Sequence, residues 1–445
     1  MIRIITNPEQ GEWERLSRRA EQDDPAIESR VAAILESVCR DGDDALYRLS
    51  REIDGVELDG LKVAPEEIAR AREEVSPQIR DAIAVAKRNI EVFHRAQLQS
   101  NLEVDIMPGI RCSQRSKPIE RIGLYIPGGS APLFSTVLMV AIPARVAGCS
   151  EIILSTPAPV HRGGTVAAEI LYAASECGIT DIYKLGGAQA IAAMAYGTQT
   201  IKCVDKIFGP GNRYVTKAKL LVSRDRVAID MPAGPSEVLI LADESSVPEF
   251  VAADLLSQAE HGADSQTIMI TSSRALAERV NIAIRQQLAV LSRKDIAIRA
   301  LENSAIIVMD SIDDMIAFAN LYAAEHLIIA MNEPWDVAER ITAAGSVFIG
   351  NYSPESAGDY ASGTNHTLPT AGWARSVSGL NLDAFMRRIT YQELTREGLE
   401  SLGNTIITMA EAEGLDAHAN AVNRHGRDSQ RGAGTQKEDK HRVFL

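Results

Sequence analysis

Histidine, carboxylate and amide side chains crowd into four short stretches of this chain: Gln258-Ala259-Glu260-His261, Glu325-His326, Asp359 to His366, and Glu411-Ala412-Glu413 to His418. Neutral imidazole and carboxylate oxygen are ligands that zinc accepts, and an amide oxygen is a weaker donor, so such density suits a metal site. Gln258 and His261 stand i, i+3 at the end of an expected helix, which lets both address one point. The plainer alternative makes His261 only a cation at a helix C-terminus. Glu325-His326 precedes the apolar run Leu327–Ala330. Neighbouring side chains of a strand face opposite sides, so a histidine at its start can project into a cleft as a base. Against this stands a simple polar pair at a strand end. For any one histidine a structural role is the commoner outcome, and only the clustering tilts the balance.

Three glycine loops, Pro127–Ser130, Gly186–Ala188 and Gly209–Asn212, each follow an expected strand and precede an expected helix. Free N–H groups and the helix dipole there favour an anion, and a dinucleotide could sit on them. None is a G-x-G-x-x-G fingerprint, and any tight strand-to-helix turn also asks for glycine. Cys112 and Cys149 are candidate nucleophiles for an aldehyde oxidation, yet neither has an adjacent His or Lys to lower its pKa.

The elements that must position these groups follow from the hydrophobic pattern. Residues 1–60 read as helical and polar. Ser76-Pro77 offers an N-cap followed by proline at N1, opening a helix with Ile79, Ile83, Ala86, Ile90 and Phe93 on one face. From Arg121 short apolar runs ending in glycine alternate with helical patterns, which predicts parallel β/α units over roughly 121–235. A second such series runs from Val238–Ala242 to Ser346–Ile349, predicting a second α/β domain. The stretch Tyr352–Gly379 is too long for an idle connection. Helical periodicity returns over 383–424, and residues 426–445 cannot bury a core and are expected to be disordered.

Composition bounds the function. The 445 residues are 45% hydrophobic and 24% charged, an ordinary globular balance with room for several packed units. The 46 basic against 60 acidic residues give a net charge of −14, which argues against nucleic acid as a partner. The longest apolar stretch, Val137–Ala144, falls far short of the ~20 residues of a membrane helix. The first 18 residues lack the apolar core of a secretory signal, so a cytoplasmic location is expected. Five scattered cysteines without a C-x-x-C pair are expected to be reduced thiols.

The segments Tyr125-Ile126-Pro127-Gly128-Gly129, Gly186-Gly187-Ala188-Gln189-Ala190, Phe208-Gly209-Pro210-Gly211-Asn212 and Asp230-Met231-Pro232-Ala233-Gly234-Pro235-Ser236-Glu237 resemble, in this order, the histidinol dehydrogenase family. The likeness continues through Leu255 to Gly262, Glu325-His326-Leu327 and Ser353 to His366, and covers roughly residues 20–424.

The resemblance implies oxidation of L-histidinol through L-histidinal to L-histidine, the last two steps of histidine biosynthesis, with two NAD+ and one zinc ion per subunit. It implies Gln258, His261 and Asp359 as zinc ligands, with His418 supplied by the other subunit of a homodimer that shares its active sites. Substrate nitrogens would complete the shell. His326 would be the base of both oxidations, and Glu325 would activate water for hydration of the aldehyde. Ser236, His366 and Glu413 would line the substrate pocket beside the metal ligands and His326. Tyr125, Gln189 and Asn212 would contact NAD.

Pattern and resemblance together predict an α/β protein with two doubly wound parallel sheets of incomplete Rossmann-like type and small helical terminal segments. The expected division is an N-terminal helical segment over 1–20 and a first α/β domain from 21–120 and 236–380 that carries most zinc and catalytic residues. An NAD-binding α/β domain over 121–235, a helical dimer-crossing domain over 381–425 and the tail 426–445 complete it.

Overall fold

The computed structural model describes residues 2–19, 25–128, 131–231 and 234–427. Its strands are β1 (Arg3–Thr6), β2 (Leu102–Met107), β3 (Ile110–Pro118), β4 (Arg121–Tyr125), β5 (Glu151–Ser155), β6 (Asp181–Tyr183) and β7 (Lys206–Phe208). They continue as β8 (Ala228–Ile229), β9 (Glu237–Ala242), β10 (Gln266–Thr271), β11 (Ala305–Val308), β12 (His326–Ala330), β13 (Ser346–Ile349) and β14 (Met386–Leu394). Two compact units result, one of residues 1–98 with 118–385 and the other of residues 99–117 with 386–445.

The first unit holds two parallel sheets. One has the order β6-β5-β4-β7-β8 and the other β1-β11-β10-β9-β12-β13. Both are doubly wound: the chain builds outward from β4 or β9 on one side, then crosses over and builds on the other. Each sheet therefore has a topological switch point, between β4 and β7 and between β9 and β12, where loops diverge and open a crevice. Strand β9 shows why these sheets are buried on both faces. Val238, Ile240 and Ala242 enter one core with the helices Pro248–Ala259 and Arg274–Leu288, while Leu239 and Leu241 enter the opposite one with the helix Ile312–Tyr322.

Several expectations are corrected. Residues 1–20 are not simply helical, because Arg3–Thr6 forms the edge strand β1, paired in parallel with β11, before the helix Gln10–Leu16. A four-residue strand whose partner lies 302 positions away leaves no local signature. The first helix after residue 24 does not join the 236–380 sheet. The helix Pro25–Asp41 places Ile27, Val31, Leu35 and Val38 in one core with Ala188, Ile191, Val215 and Val222, on the five-stranded-sheet side. The helix Pro77–Arg95 starts as expected, with Ser76 Oγ accepting from Ile79 N–H at 3.3 Å, but Phe93 is exposed and His94 takes the buried position. The helical repeat carries the stripe from Ile83, Ala86 and Ile90 to residue 94.

The segment 381–425 is only partly helical. Besides the helices Arg396–Ala412 and Asp416–Arg427 it supplies β14, which forms a three-stranded sheet with β3 and β2 in the second unit. The side chains of β14 are nearly all exposed, so the strand carries no burial pattern to read. Of the expected tail 426–445, residues 426 and 427 close the last helix and the rest lies outside the described residues. The long stretch Tyr352–Gly379 contains a short helix, Glu355–Tyr360.

Candidate active site

A cleft of about 490 Å³ opens in the first unit, where the two sheets present opposite ends to one another. From the five-stranded sheet come Pro127 after β4 and Pro210 to Arg213 after β7, the carboxyl side of its switch point. From the other sheet come Ser236 before β9, Ser265 before β10, and Glu325 and His326 at the amino end of β12.

The wall on the six-stranded side is built by two helices. The helix Pro248–Ala259 ends so that Gln258 is fully buried and His261, just past the helix, faces the cleft. The helix Glu355–Tyr360 places Glu355 and Asp359 i, i+4, on one face. One donor atom from each of His261, Glu355 and Asp359 lies within 4.8 Å of the others. An imidazole and two carboxylates at such spacing are a donor set for a divalent cation, and zinc accepts both kinds.

The Gln258 amide nitrogen donates to Glu355 Oε2 at 3.0 Å and its oxygen accepts from Glu237 N–H at 3.0 Å. The same Glu237 N–H also donates to Glu325 Oε2 at 2.9 Å.

His326 is buried at the end of β12. Its Nδ1 stands 3.3 Å from the Glu237 carbonyl, which accepts only, so Nδ1 carries the proton in the neutral ring and Nε2 keeps its lone pair. Among the described residues Nε2 is buried without a hydrogen-bond partner, 3.5 Å from Asp359 Oδ1. Burial alone would lower His326, but the surrounding carboxylates Glu355, Glu325 and Asp359 raise it to about 10. Burial pushes Glu325 up to about 8, Asp254 up to about 6 and Glu355 well above the ordinary carboxylate range. Asp359 goes the other way, because contact with His326 outweighs its burial. Crowded, buried carboxyl groups of this kind call for a compensating cation.

The remaining candidates divide clearly. His366 lines the cleft, with Nδ1 donating to the Asp359 carbonyl at 2.8 Å and Nε2 near Thr136 Oγ1 at 3.3 Å. Ser236 and Asn212 line it too. Asn212 caps the helix Arg213–Val222, its Oδ1 accepting from Tyr214 N–H and Val215 N–H at 3.0 and 3.2 Å. Tyr125 and Gln189, expected at the cofactor, are buried behind the second glycine loop. Tyr125 Oη accepts from Gly187 N–H at 3.1 Å, and Gln189 Nε2 donates to Asp54 at 2.9 Å. Glu413 and His418 are exposed on the second unit. Cys149 is buried with its thiol pushed up to about 11, Cys112 belongs to β3, and neither is among the residues described as lining the cleft.

Glu355, Asp254 and Glu237 carry no role in the sequence reading. A carboxylate four positions before Asp359 was a signal for Glu355; for the other two, burial is the only signal, and it becomes visible only in the fold.

Two parallel sheets facing one another across a cleft lined by acid–base groups and a candidate cation site define an α/β enzyme. Residues 17–425 match the family model described as histidinol dehydrogenase. The chain is 50% identical over 422 residues to the histidinol dehydrogenase of Bacteroides thetaiotaomicron, covering 95% of this chain and 98% of that one. It is 52% identical over 410 residues to that of Shewanella oneidensis, covering 90% and 92%. The crystal structure of histidinol dehydrogenase from Elizabethkingia anophelis superposes with a TM-score of 0.94 at 49% identity, covering 96% of this chain and 99% of that one. The chain belongs to the histidinol dehydrogenase family, a family of oxidoreductases.

Proposed function

We propose that the protein oxidises L-histidinol to L-histidine through L-histidinal, reducing two NAD+, in the last two steps of histidine biosynthesis. The observation that carries this reading is the convergence of Glu325 and His326 with Gln258, His261 and Asp359 in one cleft of a chain of this family.

In the first oxidation the carbinol carbon gives a hydride to NAD+ while its hydroxyl proton passes to His326 Nε2. The Glu237 carbonyl supports this assignment, since it keeps the ring proton on Nδ1. Water then adds to the aldehyde carbon, and Glu325 takes the proton it loses. The resulting gem-diol gives its hydride to a second NAD+, again with the hydroxyl proton going to His326, and the product is the carboxylic acid. Each oxidation releases one NADH and one proton, and no thiol is needed.

Gln258, His261 and Asp359 would hold one zinc ion, with Glu355 beside them and His418 of the partner subunit in a homodimer completing the protein donors. When bound, zinc would hold the substrate by its imidazole and amino nitrogens and offset the carboxylates that raise His326. Ser236, His366 and the partner's Glu413 would recognise the remaining polar groups. Asn212 and the glycine loops would receive NAD at the carboxyl side of the β4–β7 switch point, where such sheets bind nucleotides. Tyr125 and Gln189 would act there by shaping the loop from behind. No described helix is long and apolar enough to cross a membrane, and we place the enzyme in the cytoplasm.

The test is a count. Zinc-loaded protein is given a limiting, known amount of L-histidinol with excess NAD+, with and without a chelator. Two NADH per histidinol, lost on chelation, is the expected result. One would end the role of Glu325 in hydration, and none would move the search to other alcohols.

A further inference from the structure

Glu237, the first residue of β9, is used at every polar end. Its N–H donates to Glu325 Oε2 at 2.9 Å and its carbonyl meets His326 Nδ1 at 3.3 Å, so its backbone grips both members of the catalytic pair. Its side chain is 1% exposed, and such a charge needs a counter-ion. Arg19 supplies it. The guanidinium Nε donates to Glu237 Oε2 at 3.0 Å and Nη2 reaches the same oxygen, while Oε1 accepts from Ala371 N–H. Arg19 is itself fixed: Nη2 donates to the Tyr322 carbonyl at 2.7 Å, Nη1 to the Ser17 carbonyl at 2.9 Å, and the guanidinium lies 3.7 Å from the centre of the Tyr322 ring. The loop closes through Tyr322 Oη, which donates to Gln266 Oε1 at 2.8 Å, Gln266 being the β10 residue paired with Glu237.

We propose that Arg19, in the N-terminal segment, is a positioning residue for Glu325 and His326, acting through Glu237. This rests on the reading of Glu325 and His326 as the acid–base pair. A buried carboxylate that loses the donors fixing it turns toward other partners, and that change moves the backbone that holds both catalytic side chains. Lysine is a poor substitute, since a single ammonium cannot stack flat on Tyr322 while bonding Glu237, Tyr322 and Ser17.

The experiment compares full-length, zinc-loaded wild type, R19M, R19K, E237Q and R19M/E237Q. The readouts are kcat, KM for L-histidinol, bound zinc, and the imidazole ¹⁵N resonances of His326, assigned with H326N. Expected are a kcat at least tenfold lower in R19M with KM and zinc within twofold of wild type, and an intermediate kcat in R19K. The His326 resonances move in R19M, and the double variant is no slower than the slower single one. The proposal is overturned if R19M keeps kcat within twofold, if its His326 resonances stay in place, if zinc falls in step with kcat, or if the R19M and E237Q losses multiply. Should wild type produce no NADH from L-histidinol, the functional reading falls, and the His326 resonances alone still decide the role of Arg19. Should R19M fail to fold, the double variant is compared with E237Q, and a further loss of kcat overturns the proposal.

Discussion

At Glu325 a buried carboxyl faces the His326 imidazole and the carboxyl groups of Glu355, Asp359 and Glu237, and burial raises it to about 8. Only its ionised form can accept a proton from attacking water. Burial raises its pKa above the ordinary carboxylate range, so it is protonated at low pH and the hydration step gains rate as pH rises through the range in which Glu325 ionises. Single-turnover measurements of the second NADH across this range should show one ascending limb, and E325Q should lose that limb. E325Q should also slow the second oxidation by ~10²–10⁴-fold, the usual worth of a general base, while the first oxidation continues. Release of both NADH by E325Q at wild-type rates would refute this. Much of this residue-scale chemistry was legible in the sequence, because Gln258 to His261, Glu325-His326 and Asp359 to His366 are contiguous and rich in ligands. What could not be read was burial: Glu355 and Glu237 look like ordinary surface carboxylates until the fold closes around them, and Phe93 looks like core until His94 takes its place.

Among the elements, the loop after β7 is held by a buried ion pair. Lys219 and Asp230 have side chains 4% and 1% exposed. Lys219 Nζ donates to the Gly209 carbonyl at 2.9 Å, and Asp230 accepts from Gly209 N–H at 2.8 Å and from Met231 N–H at 2.7 Å. Gly209 has φ 118°, and a Cβ there would lie 2.0 Å from the Tyr125 carbonyl oxygen, so only glycine fits. Removing one charge strands the other: K219M should lose about 3–5 kcal/mol in urea unfolding. K219M/D230N should lose clearly less. If the loop receives NAD, K219M should also raise KM for NAD+ more than KM for L-histidinol. Equal stability of the single and double variants would refute the role of the pair. Glycine loops and parallel strands were legible here because apolar runs ending in glycine have local signatures. The pairing of β1 with β11, and the side on which the helix Pro25–Asp41 docks, are set by partners far along the chain.

For the whole molecule, the sheets divide the labour of the proposed reaction. The carboxyl side of one switch point would hold the cofactor, and the amino end of the other sheet carries Glu325 and His326, so both oxidations can use one base from one side of the cleft. The proposed ligand His418 and the recognition residue Glu413 belong to the second unit, and the homodimer reading makes them act on the cleft of the other subunit. This has a consequence that no monomeric enzyme shares. H326N and H418N should each be inactive as homodimers, because every site lacks one group. After unfolding and refolding together in equal amounts, a heterodimer has one site carrying both substitutions and one site carrying neither. Random two-fold pairing should therefore restore roughly a quarter of wild-type activity. Mixing without refolding should restore none at first. If co-refolded protein stays inactive while refolded wild type recovers, His418 acts within its own chain and the shared-site dimer is wrong. Partial recovery near the expected fraction would place His418 in the other subunit's site, whereas bound zinc stays at about half the wild-type sites whether or not the site is shared, so the activity decides.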